Sequence, residues 1–226
     1  MKKASFLLAV MILAVASAAN AYTLSFDYSD VLGLPSSPVA GAIVETFEGP
    51  LQWTWLGSFT VLDGTTNQNS APWNPISSAK ETTKYVSVPS PGGLPPAEQR
   101  NVTVTNLGGD YNYFGIWWGS MDTYNKLELL FGTNVVATLT GENVADPNAT
   151  GDQLLPATNR YVNIFLEGVQ KFDSFRMTSD NYAFEADNIA LAAAETPNPI
   201  PEPVSMLLFG TGLVGIGGYL RRKYKK

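Results

Sequence analysis

Carboxylates are the side chains of this sequence that could do chemistry, because the usual nucleophilic partners are missing. The 226 residues contain 20 Asp and Glu but neither His nor Cys. Ser-His-Asp and Cys-His catalytic systems and His-based zinc sites are therefore excluded. Paired carboxyl groups, as in glycoside hydrolysis, remain open and need a separation of roughly 5–10 Å. No spacing singles out such a pair, so we predict a protein that is not an enzyme and has no catalytic residues.

Some of these carboxylates have the type and placement to bind calcium. Glu48 lies in the segment VETFEG, while Asp187 and Asn188 lie in the segment AFEADN near the other end of the chain. Calcium prefers six to eight oxygen ligands from carboxylates, amides and main-chain carbonyls. Because there is no contiguous D-x-D-x-D-G loop, two interpretations stay open. One is a structural Ca²⁺ at Glu48, Asp187 and Asn188, and the other is carboxylates that are solvated or hydrogen-bonded.

The densest aromatic segment, residues 111–125, has the sequence YNYFGIWWGSMDTYN. Apolar faces of sugar rings stack on exposed aromatic rings, and neighbouring carboxylates and amides can hydrogen-bond to the sugar hydroxyls. The candidates for such a sugar platform are Tyr113, Trp117, Asp122, Tyr124 and Asn125. The alternation equally fits a strand that buries Phe114, Ile116 and Trp118 in a core while the residues between them face outward. Both interpretations stay open.

Short segments of alternating apolar residues must position these side chains, and they predict an all-β fold. The segments are separated by turn residues and lie at 22–28, 54–61, 85–88, 102–105, 113–118, 126–131, 135–140, 161–166, 174–177 and 184–190. Residues 127–139 are typical of a hairpin. With no amphipathic helix between them, they predict an antiparallel β-sandwich that is jelly-roll-like. Residues 64–78 and 89–99, rich in turn-forming residues, are predicted to be surface loops.

The charge distribution separates the middle of the chain from its ends. Residues 22–200 contain 19 Asp and Glu against 7 Lys and Arg, a net charge of −12, whereas the whole chain has −6. Such an acidic domain is not suited to nucleic acid or to binding anionic polysaccharide through a basic patch. It fits a soluble exported domain or one that collects cations.

The N-terminus has the features of a secretory signal peptide. Lys2 and Lys3 form a charged start, residues 6–15 are apolar, and two small-x-small sites follow. The pattern predicts a signal peptide over residues 1–21, cleaved after Ala18 or after Ala21. The exported domain would then span residues 22–191, followed by a linker over residues 192–200.

The C-terminus combines a proline-rich segment, an apolar run and a basic end. Residues 204–220 form an uncharged run of 17 residues, just long enough for a transmembrane helix. The basic residues 221–226 are expected to stay on the cytoplasmic side, which leaves the upstream domain outside. The residues that define this pattern are Pro201, Glu202, Pro203, Arg221, Arg222 and Lys223.

A signal peptide, a P-E-P triplet, a glycine-rich apolar helix and a terminal R-R-K together resemble the bacterial PEP-CTERM sorting signal. The resemblance covers residues 198–226 and implies processing by exosortase, a membrane protease, after transient anchoring in the inner membrane. The mature protein would be secreted to the cell surface or to extracellular matrix and exopolysaccharide. Residues 111–125, with YVNIF, FDSF and AFEADNIA further on, also resemble a family of exosortase-dependent surface proteins that carry a YFGxxWGSxDxYN block.

These observations together predict a structural or adhesive surface protein associated with exopolysaccharide. The alternative is a specific carbohydrate-binding module that uses the aromatic block. A carboxylate-based glycosidase is the third interpretation.

Overall fold

The computed structural model describes residues 22–145 and 149–193, which consist almost entirely of β-structure and turns. Helical structure in these residues is limited to α1 (Gly141–Ala145) and a 3-10 turn (Ala97–Gln99). The strands are β1 (Tyr22–Ser25), β2 (Ser29–Val31), β3 (Leu34–Ser36), β4 (Ile43–Glu45), β5 (Thr54–Gly57), β6 (Thr60–Asp63), β7 (Trp73–Asn74), β8 (Ala79–Lys80), β9 (Lys84–Val88), β10 (Asn101–Thr105), β11 (Tyr113–Gly119), β12 (Asn125–Phe131), β13 (Asn134–Thr140), β14 (Arg160–Leu166), β15 (Ser174–Ser179) and β16 (Phe184–Ala192).

Two main sheets are formed by these strands. The larger sheet has seven strands in the order β1-β14-β11-β16-β9-β6, with β4 also paired to β16. The smaller main sheet has five strands in the order β13-β12-β15-β10-β5. All strand pairings in both sheets are antiparallel within the described residues. The predicted antiparallel all-β fold is confirmed, while the jelly-roll connectivity stays a prediction.

The main sheets enclose one apolar core. Successive strand residues point to opposite faces, so alternate side chains of each sheet meet in the middle. Phe114 of the larger sheet and Phe175 of the smaller one are both 0% exposed. Their rings meet edge to face with centroids 5.0 Å apart. Each such buried side chain contributes roughly 1.5–3 kcal/mol of hydrophobic stabilisation, so this shared core holds the sandwich together.

Local sequence predicts one hairpin correctly and one strand incorrectly. β12 and β13 pair from Lys126↔Thr140 to Phe131↔Asn134, as the residue pattern predicts. The single strand predicted over residues 54–61 is wrong, because the chain leaves the smaller main sheet at Gly57 and enters the larger one as β6. Gly57 has φ +136, and a Cβ atom there would collide with the carbonyl oxygen of Asn101. Only glycine permits this change of sheet.

Residues 64–78 are predicted to be a surface loop; both ends of the segment are exposed, but residues 69–74 cover part of the outer face of the larger sheet. Asn69 and Ser70 are 2% exposed. The Ser70 N–H donates to Glu185 of β16, and the Trp73 N–H donates to the Asn159 side chain at the start of β14. Polar side chains in and next to the sheet therefore accept hydrogen bonds from buried main-chain N–H groups of this segment, which allows it to be buried. A turn-rich composition alone does not distinguish a covering segment from a solvated one.

The predicted signal peptide and sorting segment lie outside the described residues. In residues 22–145 and 149–193, no helix has the length and apolar character needed to cross a bilayer. The predicted transmembrane helix over residues 204–220 is not among them. The chain divides by its contacts into a unit Met1–Ala194 and a unit Glu195–Lys226. Both main sheets and their core lie in the first unit, so residues 22–194 are expected to fold on their own.

Candidate functional site

The aromatic strand β11 is buried on both of its faces. Its even-numbered side chains point into the core, as the alternation predicts, and Trp118 stacks on Phe184 with ring centroids 4.3 Å apart. Tyr113 and Trp117 belong to the opposite face, yet both are 0% exposed as well. The prediction that these two rings form an exposed sugar platform is therefore wrong, since a ligand cannot reach them.

Tyr113 shows how the outer face is closed. Its hydroxyl donates to Asn163 Oδ1 at 2.7 Å and lies 2.8 Å from Ser37 Oγ. The ring also packs on Phe165, with centroids 5.0 Å apart. Burial raises the pKa of Tyr113 to about 12, although the Ser37 and Tyr161 hydroxyls act in the other direction. The phenol therefore stays neutral and serves as a structural donor.

Asn125, the third buried candidate of the predicted sugar platform, holds a turn. Its Oδ1 accepts a hydrogen bond from the Asp122 N–H at 2.8 Å. Its amide nitrogen donates to Ser179 Oγ at 2.9 Å and to the Ala183 carbonyl at 3.2 Å. These polar atoms are used within the protein, so the predicted sugar contact from Asn125 is wrong.

The remaining two platform candidates, Asp122 and Tyr124, line a polar cavity of about 330 Å³. Both side chains are half-buried. The Tyr124 hydroxyl donates to the Tyr182 carbonyl at 2.9 Å. The wall adds amides, hydroxyls and a second tyrosine from Asn67, Gln68, Ser70, Ser120, Gln153 and Tyr182. We call this the polar cavity; its wall offers hydrogen-bond donors and acceptors beside two aromatic rings.

The Asp122 carboxyl lies close to the backbone of Gly151. Gly151 has φ +66, and a Cβ atom there would collide with both Asp122 carboxyl oxygens. Burial raises the pKa of Asp122, while the Tyr124 hydroxyl opposes the rise. The carboxyl is thus held against the backbone at the wall of the polar cavity.

Glu185 also lines the polar cavity, although it was not among the residues predicted for the sugar platform. It is 2% exposed. One carboxyl oxygen accepts from the Ser70 N–H at 2.9 Å and the other from the Ser120 hydroxyl at 2.7 Å. Burial raises the pKa of Glu185 to about 8, although these two hydrogen bonds favour the ionised form. Its place between two buried apolar residues in FEADN was a signal for an inward-facing carboxylate.

A second cavity, of about 520 Å³, brings together the three predicted calcium ligands Glu48, Asp187 and Asn188. We call it the acidic cavity after its two carboxylates, although most of its wall is apolar. One Glu48 oxygen accepts from the Lys84 N–H at 2.7 Å, and Asp187 Oδ1 accepts from the Asn188 N–H at 2.6 Å. The Asn188 side-chain amide donates to the Pro35 carbonyl at 2.7 Å. The three residues converge, and the calcium itself stays a prediction.

Glu81 faces Asp187 and was not predicted from the sequence. The two side chains lie within hydrogen-bonding reach of each other, and the residues are 4% and 1% exposed. Burial raises the pKa of both carboxyls, and neighbouring negative charges add to the rise. Within the described ranges no group of three or more Asp, Glu, His or Cys side chains is arranged as a metal-binding set. Glu81 and Asp187 thus form a buried pair of carboxyl groups in contact.

Comparison with known proteins identifies the sorting signal. Residues 199–223 match the PEP-CTERM protein-sorting motif, as their pattern predicts, and this motif implies an exported protein targeted to exosortase. No curated protein matches the chain. Among solved structures, the K2 cleaved adhesin domain of Lys-gingipain is 14% identical, covers 69% of this chain and 100% of its own, and has a TM-score of 0.31. That TM-score supports no conclusion about this chain. The family resemblance of residues 111–125 stays a prediction.

Proposed function

We propose that this PEP-CTERM protein is exported, processed by exosortase and retained at the cell surface or in the extracellular matrix, where residues 22–193 act as a non-catalytic module that binds exopolysaccharide. The sorting motif at residues 199–223 supports export and exosortase targeting. In this proposal the C-terminal segment anchors the chain in the inner membrane until exosortase cuts near Pro201–Glu202–Pro203. The working part of the protein is then the β-sandwich.

The polar cavity is the observation that carries the binding proposal. Saccharides present many hydroxyl groups, which need donors and acceptors at fixed positions, and C–H faces that pack on aromatic rings. The cavity combines Asp122, Tyr124, Tyr182 and several side-chain amides in a space of about 330 Å³, the size of a small ligand site. It replaces the flat aromatic platform with a recessed site that still uses Asp122 and Tyr124.

The charge of the domain narrows the class of saccharide. Residues 22–200 carry a formal net charge of −12, and the carboxyl group of Asp122 lines the polar cavity itself. An anionic polymer would be repelled by this field, so the proposal is directed at neutral glycans.

A glycosidase is the second candidate, because Asp122 and Glu185 line one cavity and the pKa of each is raised. A general acid must deliver its proton to the substrate oxygen at hydrogen-bonding distance. Glu185 is 2% exposed, and its two oxygens already bond to Ser70 and Ser120. Binding therefore fits this geometry better than hydrolysis.

The binding proposal is tested with purified residues 22–194 on the host's own exopolysaccharide and on a panel of neutral glycans. Wild type should be retained, and Asp122→Asn and Tyr124→Phe should each weaken binding by roughly 5–50-fold, since each removes one or two hydrogen bonds of the site. Asp63→Asn is the matched control, because Asp63 is exposed and outside the polar cavity. Unchanged retention in both cavity variants would reject the site, and release of reducing ends from the glycan would favour the glycosidase.

The processing proposal is tested separately by fractionating the native host and determining the mature C-terminus by mass spectrometry. Surface-localised protein should end near Pro201–Glu202–Pro203. An intact tail through Lys226 on surface protein would reject processing at the P-E-P triplet.

A further inference from the structure

The Glu81–Asp187 pair is a buried site whose electrostatics are incomplete. Glu81 Oε2 accepts from the Thr83 hydroxyl at 2.8 Å, and Asp187 Oδ1 accepts from the Asn188 N–H at 2.6 Å. The other oxygens, Glu81 Oε1 and Asp187 Oδ2, are fully buried and have no hydrogen-bond donor among the described residues. Glu81 and Asp187 contact each other, and two carboxyl groups can hydrogen-bond only when one of them carries a proton. With both groups ionised, the pair therefore lacks a compensating positive charge.

The surrounding charges make the pair more negative. Glu45 and Glu48 both act on Asp187 through their charges, and each disfavours its ionised form. Glu45 is itself fixed in place, because its two oxygens accept from the Phe47 N–H at 3.0 Å and the Gln52 N–H at 2.7 Å. Two ionised carboxylates in contact inside a protein are not tolerated without a compensating positive charge. The compensation must be a shared proton or a bound cation.

The acidic cavity gives access to the Asp187 side of this pair. Asp187, Thr83 and Glu48 line the acidic cavity, which has a volume of about 520 Å³. Glu48 is exposed, so a carboxylate stands in the solvent-accessible part of the cavity while Asp187 forms a buried part of its lining. Asp187 can therefore be approached from the Glu48 side of the cavity, although most of the remaining wall is apolar.

We propose that Glu81 Oε1 and Asp187 Oδ2 are two direct ligands of a calcium ion bound beside the acidic cavity, with water completing its shell. A divalent ion neutralises both carboxylates of the pair, whereas one shared proton neutralises only one of them. Calcium accepts irregular shells of carboxylate and water oxygens at 2.3–2.6 Å. With only two buried carboxylate ligands, the site belongs with the weak extracellular class, whose Kd is about 0.1–1 mM.

The ligand set differs from the one expected from the sequence. Glu81 is added to the ligands, because its side chain contacts that of Asp187. Asn188 is not assigned to the direct shell; its amide nitrogen donates to the Pro35 carbonyl and its main-chain N–H donates to Asp187. The calcium site lies at a different cavity from the proposed saccharide site, so the failure of one proposal leaves the other intact.

The test uses residues 22–194 at pH 7.5, with calcium binding measured by calorimetry and the melting temperature recorded in EGTA and in CaCl₂. Wild type should bind one calcium ion. Its melting temperature should rise by roughly 5–10 °C at a calcium concentration about one hundred times Kd. Glu81→Gln is the main variant, because the amide can accept from Thr83 and donate to Asp187 Oδ2, which satisfies the pair without a cation. It should bind calcium at least tenfold more weakly and lose the calcium-dependent rise.

Asp187→Asn is the second variant and should lose the rise as well. Glu167→Gln is the control, because Glu167 is exposed and outside the acidic cavity, and it should keep the full rise. A wild-type melting temperature that calcium does not move overturns the proposal and leaves the shared proton as the compensation. A rise that persists in either pair variant also overturns it, because calcium would then bind elsewhere.

Discussion

The buried carboxyl of Glu185 should make the protein less stable as the pH rises, and Glu185→Gln should remove this dependence. Glu185 Oε1 accepts from the Ser70 N–H, and Oε2 contacts the Ser120 hydroxyl. The glutamine amide can keep both contacts by accepting from the Ser70 N–H and donating to Ser120 Oγ. It therefore mimics the protonated carboxyl, so that the substitution tests ionisation with little change in packing.

The direction and size of this change in stability follow from the pKa of Glu185 in the folded and in the unfolded protein. The pKa of Glu185 is raised from 4.5 to about 8 in the folded protein. A raised folded pKa means that the stabilisation from the neutral form is fully present below pH 4.5 and is lost as the pH rises through 8. Each pKa unit is worth about 1.4 kcal/mol, so the whole loss is roughly 3–5 kcal/mol. The full value applies without a discount for solvent screening, because Glu185 is 2% exposed.

The measurement is urea unfolding of residues 22–194 at several pH values between 4 and 9. The free energy of unfolding of Glu185→Gln minus that of wild type should increase by roughly 3–5 kcal/mol across this range. Other buried carboxyls titrate in both proteins and largely cancel in the difference. The exposed-site variant Glu167→Gln should follow wild type throughout. A difference that stays flat within about 1 kcal/mol from pH 4 to pH 9 would refute the reasoning.

Two packing predictions use the same unfolding assay at pH 6. Phe175→Ala should lower the free energy of unfolding by roughly 3–5 kcal/mol, because the ring is fully buried between the main sheets. The control is Phe131→Ala, which should cost less than about 1 kcal/mol because Phe131 is half-exposed. Equal losses in the two variants would contradict the shared core. Gly115→Ala should cost roughly 1–3 kcal/mol, because its Cβ would lie 2.6 Å from the Tyr161 hydroxyl oxygen. Gly49→Ala, where nothing lies within 4 Å of the new Cβ, should be nearly neutral, and a neutral Gly115→Ala would contradict the close packing on the outer face of β11.

Local patterns predicted the parts of the fold that local physics decides. The pairing of β12 with β13 follows from two alternating segments joined through Gly132, which has φ +60. The inward direction of Phe114 and Trp118 follows from the two-residue period of a strand. The division at Gly57 was missed, because the need for φ +136 arises from a carbonyl oxygen of another strand. Such a contact leaves no trace in the neighbouring sequence.

The candidate site was predicted in its residue types more than in its arrangement. Asp122 and Tyr124 do reach a cavity wall, and Glu48 and Asp187 do meet at another. Exposure of Trp117 was wrongly predicted, because alternation assigns a side chain to a face but does not say what covers that face. Glu81 was missed because it follows a turn-rich segment and meets Asp187 only through the tertiary fold.

The sequence by itself determined the sorting motif at residues 199–223, the exclusion of histidine and cysteine chemistry and the alternating β-structure, because each depends on residue identity or on near neighbours. Only the tertiary structure decided which carboxylates are buried together and which aromatic rings remain accessible. Both depend on how residues 34–44 and 69–74 pack on the outer face of the larger sheet. Burial and charge proximity are properties of pairs distant in the chain, and folding alone brings such pairs into contact.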